Sequence, residues 1–186
     1  MNGAEHGQRG TGAVAGPAPP GQAGGTCVKL GDNVNTDLVM PARYLVSIDP
    51  EELAGHVFEP LGPEVQRRVR AAQVLVAGVN FGCGSAREQA ASGLAGAGIT
   101  AVIAASFART FFRNAINTGL PAIEQPEAAA AIGDGDQVTV NVRAGEILAG
   151  GRRYRFPPFP PSLLAILDAG GLIPYLATHV LPARER

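Results

Sequence analysis

The sequence predicts a single α/β domain built on parallel strands, and three observations carry this prediction. Apolar runs alternate with helical stretches between residues 74 and 124, an order typical of parallel strands joined by helices. Beyond residue 135 the pattern changes to period two over residues 137–142, which indicates a hairpin. A chain of 186 residues is long enough for one domain with a substantial core, and too short for two of ordinary size.

Turn, proline and capping signals predict the first elements in order. We expect a strand over 27–30, an extended segment over 38–40, a helix that starts at Pro50, and a loop over 57–70 that ends in a short helix. Pro41 would end the extended segment, because proline has no backbone N–H for a sheet. Asp49 would cap the helix, with Pro50 at its first position.

The later elements follow the same logic. We expect strands over 74–79, 100–105 and 122–124, helices over 86–97 and 107–117, a hairpin of 137–142 with 152–156, and helices over 163–169 and 173–179. Gly98 and Gly119 stand where a helix ends in a left-handed residue, and Ser162 would cap the next helix. The helix over 107–117 should be amphipathic, with Arg109 and Arg113 bridging to neighbouring loops.

Composition narrows the class of protein. The net charge is −1 with scattered charges, so no basic patch points to nucleic acid. No apolar stretch approaches a membrane span, and two cysteines are too few for a disulfide scaffold, which favours a reducing, cytoplasmic location. Residues 1–26 are mostly Gly, Ala and Pro, so we expect a disordered tail (or an interaction arm), with the domain over 27–182.

A glycine-rich turn over 80–88 (NFGCGSARE) is the strongest functional signal. It lies between a buried strand and a helix, where unpaired backbone N–H groups and the helix dipole favour an anion. A serine hydroxyl held there, Ser85, would ionise more readily than in water because its oxyanion is stabilised. The spacing Ser85-Ala86-Arg87-Glu88 also fits a capping box, in which Ser85 accepts a backbone N–H and Glu88 reaches back. The two interpretations are compatible.

Other sites fit the turn less well. A dinucleotide site would need a third glycine where Arg87 stands, and the strand over 100–105 ends without an acidic residue for a ribose. Cys83 as a nucleophile lacks a histidine near it in sequence. Two widely separated cysteines cannot supply the thiolates of an iron–sulfur cluster.

An ordered set of motifs resembles the small subunits of isopropylmalate isomerases (3-isopropylmalate dehydratases), the separate-chain equivalents of the swivelling domain of aconitase. The motifs cover residues 28–180: 31–37 (GDNVNTD), 41–45 (PARYL), 80–88, 106–109 (SFAR), 113–117 (RNAIN), 119–121 (GLP) and 169–172 (AGGL). The resemblance implies a swivelling, three-layer β/β/α domain. It also implies a large partner subunit that carries a [4Fe-4S] cluster, with no metal bound by this chain, and a small hydroxy-dicarboxylic acid as substrate.

The resemblance assigns roles to matching residues. It implies that Ser85 is the catalytic base of a dehydration and rehydration that converts 2-isopropylmalate to 3-isopropylmalate in leucine biosynthesis, in a chain inactive without the large subunit. The implied substrate-binding residues are Arg87, Asp37, Arg43, Gly84, Leu45 and Val46. An Asx-turn is the alternative role for Asp37.

Two departures from the family pattern leave the substrate open. Ala86 replaces a usual second serine, and Gln89 replaces a frequent histidine. Leu45 and Val46 suit a branched apolar side chain better than a charged one. Homoaconitate, dimethylmaleate or a related hydroxy-diacid remain alternatives, as does a non-catalytic, anion-binding regulatory module.

Overall fold

The structure, a computed structural model, describes residues 22–179, which form one seven-stranded sheet with helices. The strands are β1 (Gln22–Lys29), β2 (Val74–Ala77), β3 (Ala101–Ala104), β4 (Ala122–Glu124), β5 (Gln137–Asn141), β6 (Glu146–Ala149) and β7 (Arg152–Arg155). The helices are α1 (Thr36–Val39), α2 (Pro50–Ala54), α3 (Pro63–Ala71), α4 (Glu88–Gly96), α5 (Arg109–Asn117), α6 (Pro126–Ala131), α7 (Pro161–Asp168) and α8 (Leu172–His179). Short 3-10 turns cover Ala42–Tyr44 and Glu59–Leu61.

The first strand joins a parallel half of the sheet to an antiparallel half. The strand order is β4-β3-β2-β1-β5-β6-β7. The start of β1, from Gln22 to Thr26, pairs antiparallel with β5, whereas Cys27 to Lys29 pair parallel with β2. β2, β3 and β4 continue in parallel, and β5, β6 and β7 form an antiparallel meander.

Alternate residues of the parallel strands face two different apolar cores. Leu75 and Val102 point to one side and pack with the helical layer, which includes Leu94 of α4 and Phe111 of α5. Residues of the opposite face pack against the antiparallel strands. This second core comprises Val74, Val76, Ala101, Ile103, Val138, Val140 and Ile147. The result is a β/β/α arrangement of three layers, which confirms the predicted fold class.

Several local predictions are confirmed. Asp49 caps α2 by accepting the N–H of Glu51 at 2.9 Å, with a proline at the first position. Gly98 and Gly119 follow α4 and α5 with φ of 92° and 80°, the left-handed conformation that ends a helix.

Other local predictions are wrong. Residues 38–40 belong to helix α1 and its end rather than to an extended segment, because Asn35 caps that helix. The segment over 57–70 does end in the predicted short helix, α3, but its start is not a surface loop, because Val57 and Phe58 are buried. β6, not 152–156, is the hairpin partner of β5, and α6 was missed. α7 begins at Pro161, so Ser162 lies inside it and does not cap it.

The predicted boundary of the tail is also corrected. Residues 22–26, assigned to the tail, form the antiparallel half of β1. The remainder of that segment, 1–21, and the last residues, 180–186, lie outside the described part of the chain. Within residues 22–179 no single helix is long and apolar enough to cross a membrane. Helices α7 and α8 reach that length and apolar character only when taken together, and they are bent by 97° relative to each other.

Candidate active site

The glycine-rich turn lies beside the segment that leads into α1. The N–H of Thr36 donates to the carbonyl of Cys83 at 2.8 Å, and the N–H of Gly82 donates to the carbonyl of Val34 at 2.8 Å. These bonds join two segments that are about fifty residues apart in sequence. The motifs over 31–37 and 80–88 therefore form one surface at the C-terminal edge of the parallel strands.

Two glycines of the turn are required by close packing. Gly82 has φ of 76°, and a Cβ there would lie 2.3 Å from the Cβ of Phe111. Gly84 has φ of 94°, and a Cβ there would lie 2.5 Å from Oδ1 of Asn35. Only glycine accommodates both the left-handed backbone and these approaches. The turn is therefore fixed against α5 on one side and against the cap of α1 on the other.

Ser85 is exposed, and its hydroxyl has no hydrogen-bond partner within residues 22–179. The predicted capping box is wrong: α4 begins at Glu88, Arg87 is the N-cap residue, and no side chain caps the helix. A tight turn in which the N–H of Arg87 donates to the carbonyl of Ser85 at 2.9 Å separates the serine from the helix. The hydroxyl is consequently available to a ligand.

Three consecutive backbone N–H groups at Ser85 and its two neighbours are unpaired within residues 22–179. The N–H groups of Gly84, Ser85 and Ala86 have no acceptor in the described part of the chain, and the first residues of α4 lack helical acceptors by geometry. Consecutive unpaired N–H groups in a glycine-containing turn favour an anion. The arrangement suits a carboxylate or a serine oxyanion, as the sequence predicts.

Thr36 binds the glycine-rich turn through two hydrogen bonds, a role that was not predicted from the sequence. The residue is 1% exposed, and its hydroxyl donates to the carbonyl of Ser85 at 3.1 Å. Together with its N–H bond to Cys83, it contacts the turn on both sides of Gly84. The sequence shows only a threonine within the motif over 31–37, and its burial and its bond to the turn become visible only in the structure.

Arg87 and Asp37 form an ion pair at the edge of the turn. Nη1 of Arg87 contacts Oδ1 of Asp37 and lies 3.5 Å from the carbonyl oxygen of Met40. The arginine side chain is 18% exposed, and its Nε and Nη2 donate no hydrogen bond within residues 22–179. Asp37 thus orients the guanidinium and leaves one edge for a bidentate carboxylate. The Asx-turn is made instead by Asn35, whose Oδ1 accepts the N–H of Asp37 at 2.8 Å.

Arg43 is engaged within the protein. Its guanidinium pairs with Glu59 and lies 4.9 Å from the ring centre of Tyr44. That ring stacks on His56 at 3.5 Å, and Nδ1 of His56 lies 3.0 Å from Glu59. Hydrogen bonds from Tyr44, then His56 and Arg43, hold the pKa of Glu59 below its usual value. This cluster fixes the 3-10 turn over Ala42–Tyr44 to the turn over Glu59–Leu61.

The segment after this 3-10 turn presents apolar side chains. Leu45 is half-buried against the core, whereas Val46 is 92% exposed and Ile48 is 88% exposed. Nε2 of Gln89, in the first turn of α4, donates to the carbonyl of Leu45 at 3.2 Å. Gln89, which departs from the family pattern, therefore connects this segment to the helix that follows the glycine-rich turn. Ala86 is exposed and supplies no polar atom beyond its backbone.

The cysteines show no arrangement for metal binding. Cys27 is buried in β1, where its Sγ donates to the carbonyl of Gly133 and burial raises its pKa. Both cysteines are free thiols. Within residues 22–179, no three side chains of histidine, cysteine, aspartate or glutamate converge on a metal site.

Comparisons with known proteins agree with this fold. Residues 59–128 match the family described as the Aconitase C-terminal domain. The chain is 50% identical over 158 residues to the 3-isopropylmalate dehydratase small subunit of Moorella thermoacetica, covering 84% of this chain and 95% of the relative. It is also 50% identical over 147 residues to the methanogen homoaconitase small subunit of Methanothermobacter thermautotrophicus, covering 78% and 85%.

A solved structure extends the likeness to three dimensions. The crystal structure of 3-isopropylmalate dehydratase from Methanocaldococcus jannaschii superposes with a TM-score of 0.76 at 41% identity, covering 84% of this chain and 93% of that one. The names of the sequence relatives describe them as small subunits, which implies a large-subunit partner. The chain belongs to the family of 3-isopropylmalate dehydratase small subunits, whose fold is the aconitase C-terminal domain.

Proposed function

We propose that this chain is the small subunit of a 3-isopropylmalate dehydratase, a hydro-lyase that isomerises 2-isopropylmalate to 3-isopropylmalate in leucine biosynthesis. The observation that carries the proposal is the exposed Ser85 hydroxyl, which has no internal partner and lies in a turn of unpaired N–H groups. A structural cap would have its oxygen occupied by the helix. An unoccupied hydroxyl two residues from a partly free guanidinium fits a catalytic base.

In the proposed reaction Ser85, as its oxyanion, removes the proton from the carbon next to the hydroxyl-bearing carbon. The C–H electron pair forms the double bond as the C–O bond breaks, and the departing hydroxide takes a proton from an acid of the large subunit and leaves as water. Addition of water with the opposite orientation then places the hydroxyl on the neighbouring carbon. Unpaired N–H groups of the turn and the charge of Arg87 stabilise the oxyanion.

The remaining residues of the site bind the two carboxylates. Arg87 takes one carboxylate bidentately through the edge that Asp37 leaves free. The backbone N–H of Gly84 is available to the same ligand. Arg43 reaches substrate in this proposal only after it exchanges Glu59 for a carboxylate, because Glu59 occupies its guanidinium here.

The segment around Leu45 and Val46 favours the isopropyl substrate. A third carboxylate, as in homoaconitate, would need a further cation, because this proposal already assigns Arg87 and Arg43 to the first two carboxylates. Val46 and Ile48 instead offer exposed branched surfaces that suit an isopropyl group.

The partner supplies the rest of the site. We place the [4Fe-4S] cluster in the large subunit, where, when bound, it acts as a Lewis acid on the substrate hydroxyl. The described residues of this chain converge on no metal, and its two free thiols suit the reducing cytoplasm, where we place the assembled enzyme.

The test is reconstitution with the large subunit under anaerobic conditions, assayed against a panel of hydroxy acids that carry two or three carboxylates. We expect turnover of 2-isopropylmalate to exceed that of homocitrate and of 2,3-dimethylmalate. Preference for homocitrate would reassign the substrate. Stable assembly without turnover of any member of the panel would favour a binding module and overturn the proposal.

A further inference from the structure

Helix α5 carries two arginines that no part of the described chain neutralises. Arg109 and Arg113 are exposed, lie four residues apart on one face, and have neither an ion pair nor a hydrogen bond within residues 22–179. The predicted bridging to neighbouring loops is therefore wrong. Every other described arginine contacts a carboxylate, a carbonyl oxygen or an aromatic ring: Arg43, Arg67, Arg68, Arg70, Arg87, Arg143, Arg152, Arg153 and Arg155.

Both arginines border a groove beside α5, which we call the α5–α7 groove. Its volume is about 470 Å³. Its lining residues are Phe107, Arg109, Phe112, Arg113, Ile116, Asn117, Glu124 and Leu163. The apolar residues among them are two aromatic rings and two aliphatic side chains, and only Glu124 opposes the two positive charges. The groove thus combines an apolar lining with a net positive border.

The groove adjoins the catalytic turn. Phe107 packs edge-on against Phe81 of that turn, with ring centres 6.1 Å apart. The N–H of Phe81 donates to the carbonyl of Ser106 at 3.0 Å, and the N–H of Ala108 donates to the carbonyl of Phe81 at 2.9 Å. A partner that covers Ser85 would consequently meet the start of α5 as part of the same surface.

We propose that the α5–α7 groove is a docking site for the large subunit, which binds it through a segment that presents a carboxylate next to an apolar side chain. This inference rests on the proposed function, which requires the large subunit to close over the catalytic turn. Arginine and aromatic residues carry much of the binding energy in protein interfaces. Two exposed guanidiniums without an internal carboxylate within residues 22–179 favour an acidic partner. The position of the groove, next to the turn that the large subunit covers in the proposed function, favours that subunit as the occupant.

Charge reversal at the two arginines tests the proposal. The dissociation constant between the two subunits is measured without substrate for wild type, the Arg109→Glu/Arg113→Glu double variant and the milder Arg109→Gln/Arg113→Gln variant. Arg67→Glu is the matched control, because Arg67 is an exposed helical arginine on α3, with a 75% exposed side chain, that pairs with Glu64 three residues away. Thermal melting of each isolated variant establishes that it is folded.

We expect the charge-reversed variant to weaken assembly by about tenfold or more, the glutamine variant to weaken it less, and the control to match wild type. Turnover at saturating large subunit should stay within about twofold of wild type, because neither arginine contacts the catalytic turn. A dissociation constant within twofold of wild type would overturn the proposal, and so would a loss of saturated turnover with unchanged assembly.

Hydrogen exchange identifies the occupant. Addition of the large subunit should protect the backbone amides of α5 and α7 in wild type but not in the charge-reversed variant at the same concentration. Protection in the isolated chain that disappears when residues 180–186 are removed would assign the groove to the chain's own C-terminal segment and overturn the proposal. Failure of the proposed function would appear separately, as normal assembly without hydro-lyase activity.

Discussion

Replacing Ser85 with alanine separates a catalytic serine from a structural one. If Ser85 capped α4, its loss would cost about 1 kcal/mol of stability. In the structure the helix starts at Glu88, two residues later than a Ser85 cap requires, and the hydroxyl has no partner within residues 22–179. An exposed side chain of this kind changes stability by no more than about 0.5 kcal/mol. For a domain of this size, the melting temperature should therefore move by less than about 2 °C.

The same substitution should nearly abolish turnover. A positioned general base contributes about 10²–10⁴-fold to the rate, which corresponds to about 3–5 kcal/mol of activation free energy. The assay is turnover of 2-isopropylmalate by the Ser85→Ala chain at saturating anaerobic large subunit. Ser92→Ala, within α4 and bonded to its own helix at Glu88, is the matched control and should retain wild-type turnover.

Either of two results would refute this reasoning. Retention of more than about a tenth of wild-type turnover would remove Ser85 from the role of base. A fall in melting temperature of about 4 °C or more would show that Ser85 stabilises the fold, so that lost activity no longer reports on chemistry.

Three further predictions concern the surroundings of the serine. Thr36→Val keeps the shape but removes the hydroxyl that holds the Ser85 carbonyl; it should cost about 1 kcal/mol in chemical denaturation and lower kcat more than it changes KM. Arg87→Lys keeps a charge near Asp37 but loses bidentate binding, so kcat/KM should fall about tenfold or more in steady-state assays; unchanged kinetics would make Arg87 structural. Because the pKa of Glu59 is depressed, its bonds stabilise the fold above the ordinary pKa of 4.5 and are lost as pH falls through the folded value. Glu59→Gln should thus melt below wild type at neutral pH, and the difference should shrink on acidification below about 4.5; a pH-independent difference would contradict this.

Local signals predicted those parts of the fold in which the sequence itself determines the geometry. The Asp49-Pro50 pair fixed the start of α2, because a capping carboxylate followed by proline suits a helix start and little else. Gly98 and Gly119 marked helix ends through their left-handed backbone. The buried strands β2 and β3 were recognisable as apolar runs bounded by turn residues.

The errors arose where short signals have two meanings. Residues 38–40 are three apolar side chains, equally compatible with a strand and with one helical turn, and the Asn35 cap decides between them. Residues 85–88 have the spacing of a capping box, but they do not form one. They form a tighter turn instead, in which the hydroxyl of Thr36 donates to the carbonyl of Ser85. β6 is only four residues long and lies between glycine turns. Its alternation of buried and more exposed residues is therefore too short to indicate a strand.

The pairing of distant side chains lies beyond what the pattern can predict. The family resemblance assigns Asp37, Arg43, Ser85 and Arg87 to one site. It does not predict which side chains form ion pairs with one another. The structure pairs Asp37 with Arg87 and Arg43 with Glu59. These pairs depend on how α1 and the two 3-10 turns pack on α4, which is a property of the folded chain.

A structure of the assembled enzyme with a substrate analogue bound would test the central claim most directly. The account predicts Oγ of Ser85 within about 3–3.5 Å of the carbon that loses the proton, with a substrate carboxylate on the free edge of Arg87. A Ser85 hydroxyl bonded to its own chain and turned away from the analogue, with Arg87 bound to Asp37 alone, would contradict it.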